Sequence, residues 1–141
     1  MAANRAIQLA AAALLLCGCG ATAKYQDVSS EPTYQPLIGR QLRATSELLL
    51  HGVTLDRNYA KHVDLCSVTP RPGIGGPEIV WSRKLPSGTI FRVVGVRRCT
   101  NCRLRERVQL MVQSESTAAC GQSPAEIDYQ ALGSSVILDS E

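Results

Sequence analysis

The cysteines are the residues of this chain best equipped for chemistry, and four of them, Cys66, Cys99, Cys102 and Cys120, fall in its later part. The run Cys99-Thr100-Asn101-Cys102 has the spacing of a redox dithiol, of half a zinc site, or of a disulfide closed across a turn. A redox dithiol requires its first cysteine at a helix N-terminus, where the dipole stabilises a thiolate. Strand-forming residues flank this one, although Arg97, Arg98 and Arg103 would also favour a thiolate. Zinc held by all four sulfurs normally uses two such pairs, and only one is present. In an oxidising compartment four cysteines instead form two disulfides, in one of three pairings. With Thr100 and Asn101 as a two-residue hairpin turn, Cys99 and Cys102 would face each other about 5.5 Å apart at Cα, within disulfide range. The preferred pairing is therefore Cys99 with Cys102 and Cys66 with Cys120, the second bridge tying distant strands together.

Other chemistry is sparse. His51 and His62 are the two histidines, and neither has the spacing of a metal or triad site. There is no GxSxG elbow, and Gly73-Ile74-Gly75-Gly76 lacks the lysine and following helix of a phosphate loop. The expectation is a non-enzymatic protein without metal or other cofactor.

Cys17 and Cys19 belong to a different context. Arg5 precedes an apolar run from Ile7 to Leu16, followed by Cys17-Gly18-Cys19. That run is about 10 residues long, whereas a bilayer-spanning helix needs about 20, so it reads as an export signal. Leu16, Gly18 and Cys19 resemble a bacterial lipobox, with an aliphatic residue three before the modified cysteine and a small one directly before it. The resemblance implies cleavage after Gly18, diacylglycerol on Cys19, and membership among the small proteobacterial envelope lipoproteins. Gly20, where aspartate would mark retention at the inner membrane, implies an outer-membrane address facing the periplasm. The alternative is an ordinary secretory signal cut near Ala21 or Ala23.

These chemical features must be carried by a small domain. With 141 residues, 45% hydrophobic and 4% aromatic, the chain has room for one core built mainly of aliphatic side chains. Residues 19–36 are small and polar and read as a flexible tether. From Leu37, short apolar runs punctuated by Gly, Pro, Asn and Ser indicate strands. Gln41–Thr45, Leu48–Val53, Ala60–Thr69 and Glu78–Ser82 are candidates, followed by Thr89–Arg98 and Leu104–Gln113 joined as a hairpin. Weaker apolar stretches at Ile127–Leu132 and Val136–Leu138 would close the sheet or add a short helix. Pro70 to Pro77 must form a loop, because proline lacks a donor and glycine is conformationally loose. The expected fold over residues 37–141 is mainly β, a small antiparallel barrel or sandwich braced by disulfides. Leu85-Pro86-Ser87-Gly88 and the strand to Val96 resemble the turn and strand of bacterial SH3-like domains, whose envelope members bind peptidoglycan or proline-rich peptides.

Charge is uneven although the net value is only +3. Arg83, Lys84, Arg92, Arg97, Arg98, Arg103, Arg105 and Arg107 crowd one stretch, and no Lys or Arg follows Val108. Glu115, Glu126, Asp128, Asp139 and Glu141 either fold back to neutralise the basic hairpin or leave it as a binding face. In the second case Arg97, Arg98, Arg103 and Arg105 would bind anionic envelope ligands, since guanidinium forks onto carboxylate and phosphate. Nucleic acid belongs to another compartment. Two functions are consistent with these features: a module binding the cell wall or an envelope protein, or an accessory subunit of an envelope complex.

Overall fold

The computed structural model describes residues 23–102 and 107–140. Cys19, the segment expected to direct export, Arg103 and Arg105 lie outside them. Nine strands form in chain order: β1 (Tyr25–Asp27), β2 (Gln41–Ala44), β3 (Leu48–Val53), β4 (Leu65–Pro70), β5 (Ile79–Leu85), β6 (Ile90–Cys99), β7 (Arg107–Gln113), β8 (Ala125–Asp128) and β9 (Val136–Leu138). They build one sheet in the order β5-β3-β4-β8-β7-β6-β2-β9, with β1 paired onto the far end of β6. All pairs are antiparallel except β4 and β8.

Two of these pairings are one ladder interrupted by a corner. The β2–β6 register pairs Gln41 with Arg92, and the β3–β5 register begins at Leu48 with Leu85. Counting seven residues along each strand carries the first pair onto the second. The corner at Thr45–Glu47 and Pro86–Thr89 is held by Ala44 N–H donating to Thr89 O at 2.9 Å and Gly88 N–H donating to Ala44 O at 2.9 Å. Gly88 sits there at φ +85°, a left-handed conformation that glycine adopts without steric cost. The Pro-Gly turn expected before the β6 strand is thus present, and it bends a long strand pair.

That bend makes one face of the sheet concave. Leu42 and Ala44, Leu48 and Leu50, Cys66 and Val68, Phe91 and Val93, Leu110 and Val112, and Ala125 and Ile127 alternate inward and pack as one cluster. Period-two alternation dictates this, since successive side chains face opposite sides. On β6 a register shift between Val93 and Gly95 moves the inward phase, so Val96 follows Val93 into the core. Gly52 lies under Trp81, where a Cβ would meet the indole at 2.5 Å. The mainly β, disulfide-braced fold is as expected; its sheet is mixed and its ladder is not closed, where an antiparallel barrel or sandwich was anticipated. The mixed character comes from β8, which enters beside β4 in parallel after a 3-10 helix at Glu115–Cys120, and the order leaves β5 and β9 as the two ends of the sheet.

Part of the segment expected to be tether belongs to the domain. Val28 and Tyr34 are buried, and Tyr25–Asp27 extends the sheet. Sequence reasoning missed this because the apolar contacts are isolated residues without a period. Tyr34 packs edge-on against Tyr129 at 5.4 Å. Ala60–Asp64, expected as strand, is a loop, and Pro70 is the last residue of β4.

The disulfides pair as preferred, Cys66 with Cys120 and Cys99 with Cys102, but Cys99 faces Arg107 across the ladder, so Thr100–Asn101 is not the two-residue hairpin turn expected and the short bridge closes within the connection that follows β6. The first spans 54 residues and fastens the 3-10 helix to β4 beside the parallel pair; the second spans 3. Loop-closure entropy makes the long bridge worth about 4 kcal/mol and the short one about 2 kcal/mol. Urea unfolding should therefore show Cys66→Ala/Cys120→Ala losing about twice the stability lost by Cys99→Ala/Cys102→Ala. A larger loss from the Cys99–Cys102 pair would contradict this placement of the restraint.

Candidate functional site

The outward side chains of β4, β8, β7 and β6 form a continuous polar row. Register places Ser67 opposite Glu126, Gln109 opposite Asp128, and Arg97 opposite Gln109. Tyr25 closes the row, its ring 4.0 Å from the Arg97 guanidinium. A cleft of about 820 Å³ runs over this floor. One wall is the Pro-Gly loop, Pro70 to Gly75, and the cleft extends past Leu55 at one end and Tyr25 and Arg107 at the other. The loop singled out from sequence and part of the basic hairpin therefore meet at one surface.

The floor is electrostatically balanced internally. Arg97 pairs with Glu126 and donates from Nε to Gln109 Oε1 at 2.8 Å. Burial raises the Glu126 carboxyl above its ordinary value of 4.5, outweighing the pull of Arg97 and Arg107. By linkage, stability from Glu126 is present below 4.5 and is lost as pH rises through its higher folded value. Asp128 accepts from Gln130 N–H at 2.9 Å. The cleft thus offers hydroxyls, amides, a tyrosine ring and an apolar end at Val53, Leu55, Leu65 and Ile74, with little unbalanced charge.

The four arginines expected as one binding face are not described together. Arg97 lies on the outward side, against Tyr25, Gln109 and Glu126 of the cleft, whereas Arg98, its neighbour on an extended strand, points to the other side. There Arg98 forms a forked pair with Glu31, at 2.8 and 2.7 Å, and lies over Tyr34. Arg98 lowers the Glu31 carboxyl below its ordinary value. Both arginines are paired with carboxylates; Glu126 comes from the acidic C-terminal segment, Glu31 from the N-terminal one. Arg103 and Arg105 lie outside the described residues. The remaining basic residues spread out: Arg71 and Lys84 reach Glu47, and Arg83 lies over Trp81.

Cys99 and Cys102 sit at a hairpin end, bonded, with Cys99 buried. No helix N-terminus, whose dipole would stabilise a thiolate, adjoins them among the described residues. His62 pairs with Asp64 at 3.1 Å in the exposed 57–64 stretch of the loop between β3 and β4. Among the described residues no group of three or more His, Cys, Asp or Glu is placed to hold a metal ion, and no helix is long and apolar enough to cross a membrane.

His51 has a role that its sequence context did not suggest. It stands on the outward side of β3, buried beneath the Pro-Gly loop, with Gly73 packed closely against its ring. Nδ1 lies 2.6 Å from Ser82 Oγ, Nε2 lies 3.0 Å from Thr69 Oγ1, and Ile74 N–H points to Nε2 at 3.5 Å. An amide can only donate, so this arrangement suits a ring with Nε2 unprotonated and the proton on Nδ1. The outward positions of Ser67 and Thr69 were detectable as the polar partners of buried Cys66 and Val68. Their meeting with Glu126 was not, because no short turn links β4 to β8.

No protein-family model matches the chain, and no curated protein or solved structure matches it either.

Burial holds the His51 pKa below its ordinary value of 6.5. Its contribution to stability is therefore complete above 6.5 and is lost as pH falls below 6.5 toward the folded value. Thermal melts across this range should show a decline on acidification that His51→Asn removes. An unchanged slope in His51→Asn would show that the ring does not carry the dependence.

Proposed function

We propose that this chain is a lipoprotein anchored through Cys19 to the outer membrane, facing the periplasm, and that its domain is a non-catalytic binding module for a cell-wall or envelope ligand. The lipobox-like run Leu16 to Cys19 supports the anchor, and two disulfides suit an oxidising compartment. The observation that carries the binding role is the cleft of about 820 Å³ over the polar sheet face. Volumes of this size suit small-molecule or short polymer ligands. Hydroxyl and amide groups, a tyrosine ring and an apolar end fit a neutral or mixed polar ligand such as a wall glycan with its peptide stem. Arg103 and Arg105 remain candidates for anionic contacts beside it, while Arg97 and Arg98 serve mainly as internal ion-pair partners.

The test uses residues 20–141, exported with a non-lipoprotein leader and mixed with purified peptidoglycan at low and physiological salt. Pelleting at both salts is expected. Leu55→Glu/Ile74→Glu, at two exposed cleft residues, should weaken it about tenfold, equivalent to about 1.4 kcal/mol. Loss confined to Arg103→Glu/Arg105→Glu would move the ligand from the cleft to the basic hairpin. No pelleting at either salt would remove the wall ligand and favour an accessory subunit of an envelope complex.

A further inference from the structure

The start of the described chain is fastened to one end of the sheet. Lys24 N–H donates to Asn101 Oδ1 at 2.7 Å, and Thr100 donates to Lys24 O from its backbone N–H at 2.8 Å and from its hydroxyl at 3.2 Å. Tyr25 then pairs with Cys99, and Cys99 also pairs with Arg107. Lys24 is therefore held at the far end of β6, against Thr100 and Asn101 within the Cys99–Cys102 bridge, and this end of the sheet is its tip.

Covalent geometry then bounds the distance between that tip and Cys19. From Cys19 to Lys24 the backbone spans at most about 18 Å, whatever its conformation. Strand β6 runs the other way for ten residues, so the corner at Pro86–Gly88 lies about 30 Å from the tip by strand rise. Lipid on Cys19 thus keeps the tip close to the bilayer surface, whereas the corner can approach it only if the domain lies on its side. Charge favours the upright pose. Lys24 and Arg107 are exposed cations at the tip, and the sequence of residues 23–26 and 99–108 carries Lys24, Arg103, Arg105 and Arg107 against Glu106.

We infer that the Thr100–Asn101 tip, with Lys24 and Arg107 beside it, is a membrane-facing surface whose partner is the anionic phospholipid headgroup of the leaflet that holds the anchor. This rests on the proposed lipidation of Cys19 and adds an orientation to it. The cleft then runs from its Tyr25 and Arg107 end near the membrane to its Leu55 and Ile74 end away from it, open to a ligand on the periplasmic side. Attraction of this kind acts within a Debye length, about 8 Å at physiological salt, so it needs the tip to lie at the surface.

The experiment places a photoreactive benzophenone amino acid at Thr100 or at Ser87 in the full chain, in cells labelled with alkyne palmitate. Palmitate labelling that Cys19→Ser abolishes establishes the anchor separately. With labelling intact, lipid capture from Thr100 should exceed that from Ser87 several-fold, because the probe reacts on contact and the two positions lie about 30 Å apart by strand rise. Lys24→Glu/Arg107→Glu should lower capture at Thr100 several-fold without changing palmitate incorporation. Equal capture at the two positions in labelled protein would overturn the orientation and leave the anchor standing. Capture unaffected by charge reversal would overturn the headgroup as partner. Absence of palmitate labelling would overturn the anchor and this inference with it.

Discussion

The structure depends on one continuous antiparallel register shared by two bent strands. β2 pairs with β6 on one side of the Thr45–Glu47 and Pro86–Thr89 corner and β3 pairs with β5 on the other, without a change of register across it. A flat sheet of this composition could not enclose a core, because the chain has one Phe and one Trp and must bury many small aliphatic groups together. Bending the ladder brings Leu42 and Leu48 from either side of the corner into the same cluster as Phe91, Leu110 and Ile127. Register is what makes this workable, since a one-residue slip would turn every inward side chain out. The same constraint fixes the outward row from Ser67 to Arg97, so the cleft floor is the reverse side of the core.

Neutralisation within that floor gives the surface its character. Arg97 could have been a free cation on an exposed strand, but β8 carries Glu126 to it, and burial leaves that carboxylate poorly solvated. A paired, partly buried ion pair is weak evidence for stability but strong evidence about what the surface no longer attracts. Its unbalanced charge is small, and its recognition groups are hydroxyls, amides and Tyr25. His51 supports the opposite wall from beneath, where its ring contacts the Pro-Gly loop through Ile74 and Gly73.

Much of the fold was legible wherever local pattern decided it. Short apolar runs and β-branched residues marked Leu48–Val53 and Thr89–Arg98 as strands, Pro70 to Pro77 marked a loop, and both disulfides pair as preferred, although Thr100–Asn101 is not the two-residue hairpin turn from which the short bridge was argued. What escaped depended on contacts distant in sequence. Tyr25–Asp27 looked like tether because a three-residue strand has no period of its own, and its partner Cys99 lies far along the chain. The basic stretch looked like one face, yet Arg97 and Arg98 separate across the sheet because successive strand residues must. The parallel β4–β8 pair, which completes the cleft, has no turn signal to announce it.

The claim at the centre of this account is that the polar sheet face beneath the Pro-Gly loop is the ligand surface. Backbone amide chemical shifts of the isotopically labelled domain, titrated with solubilised peptidoglycan fragments, test it most directly. The account predicts shifts concentrated at Tyr25, Ser67, Thr69, Ile74, Gln109 and Gln130, which share the cleft. Shifts grouped instead around Glu31 and Arg98, on the other side of the sheet, would contradict it.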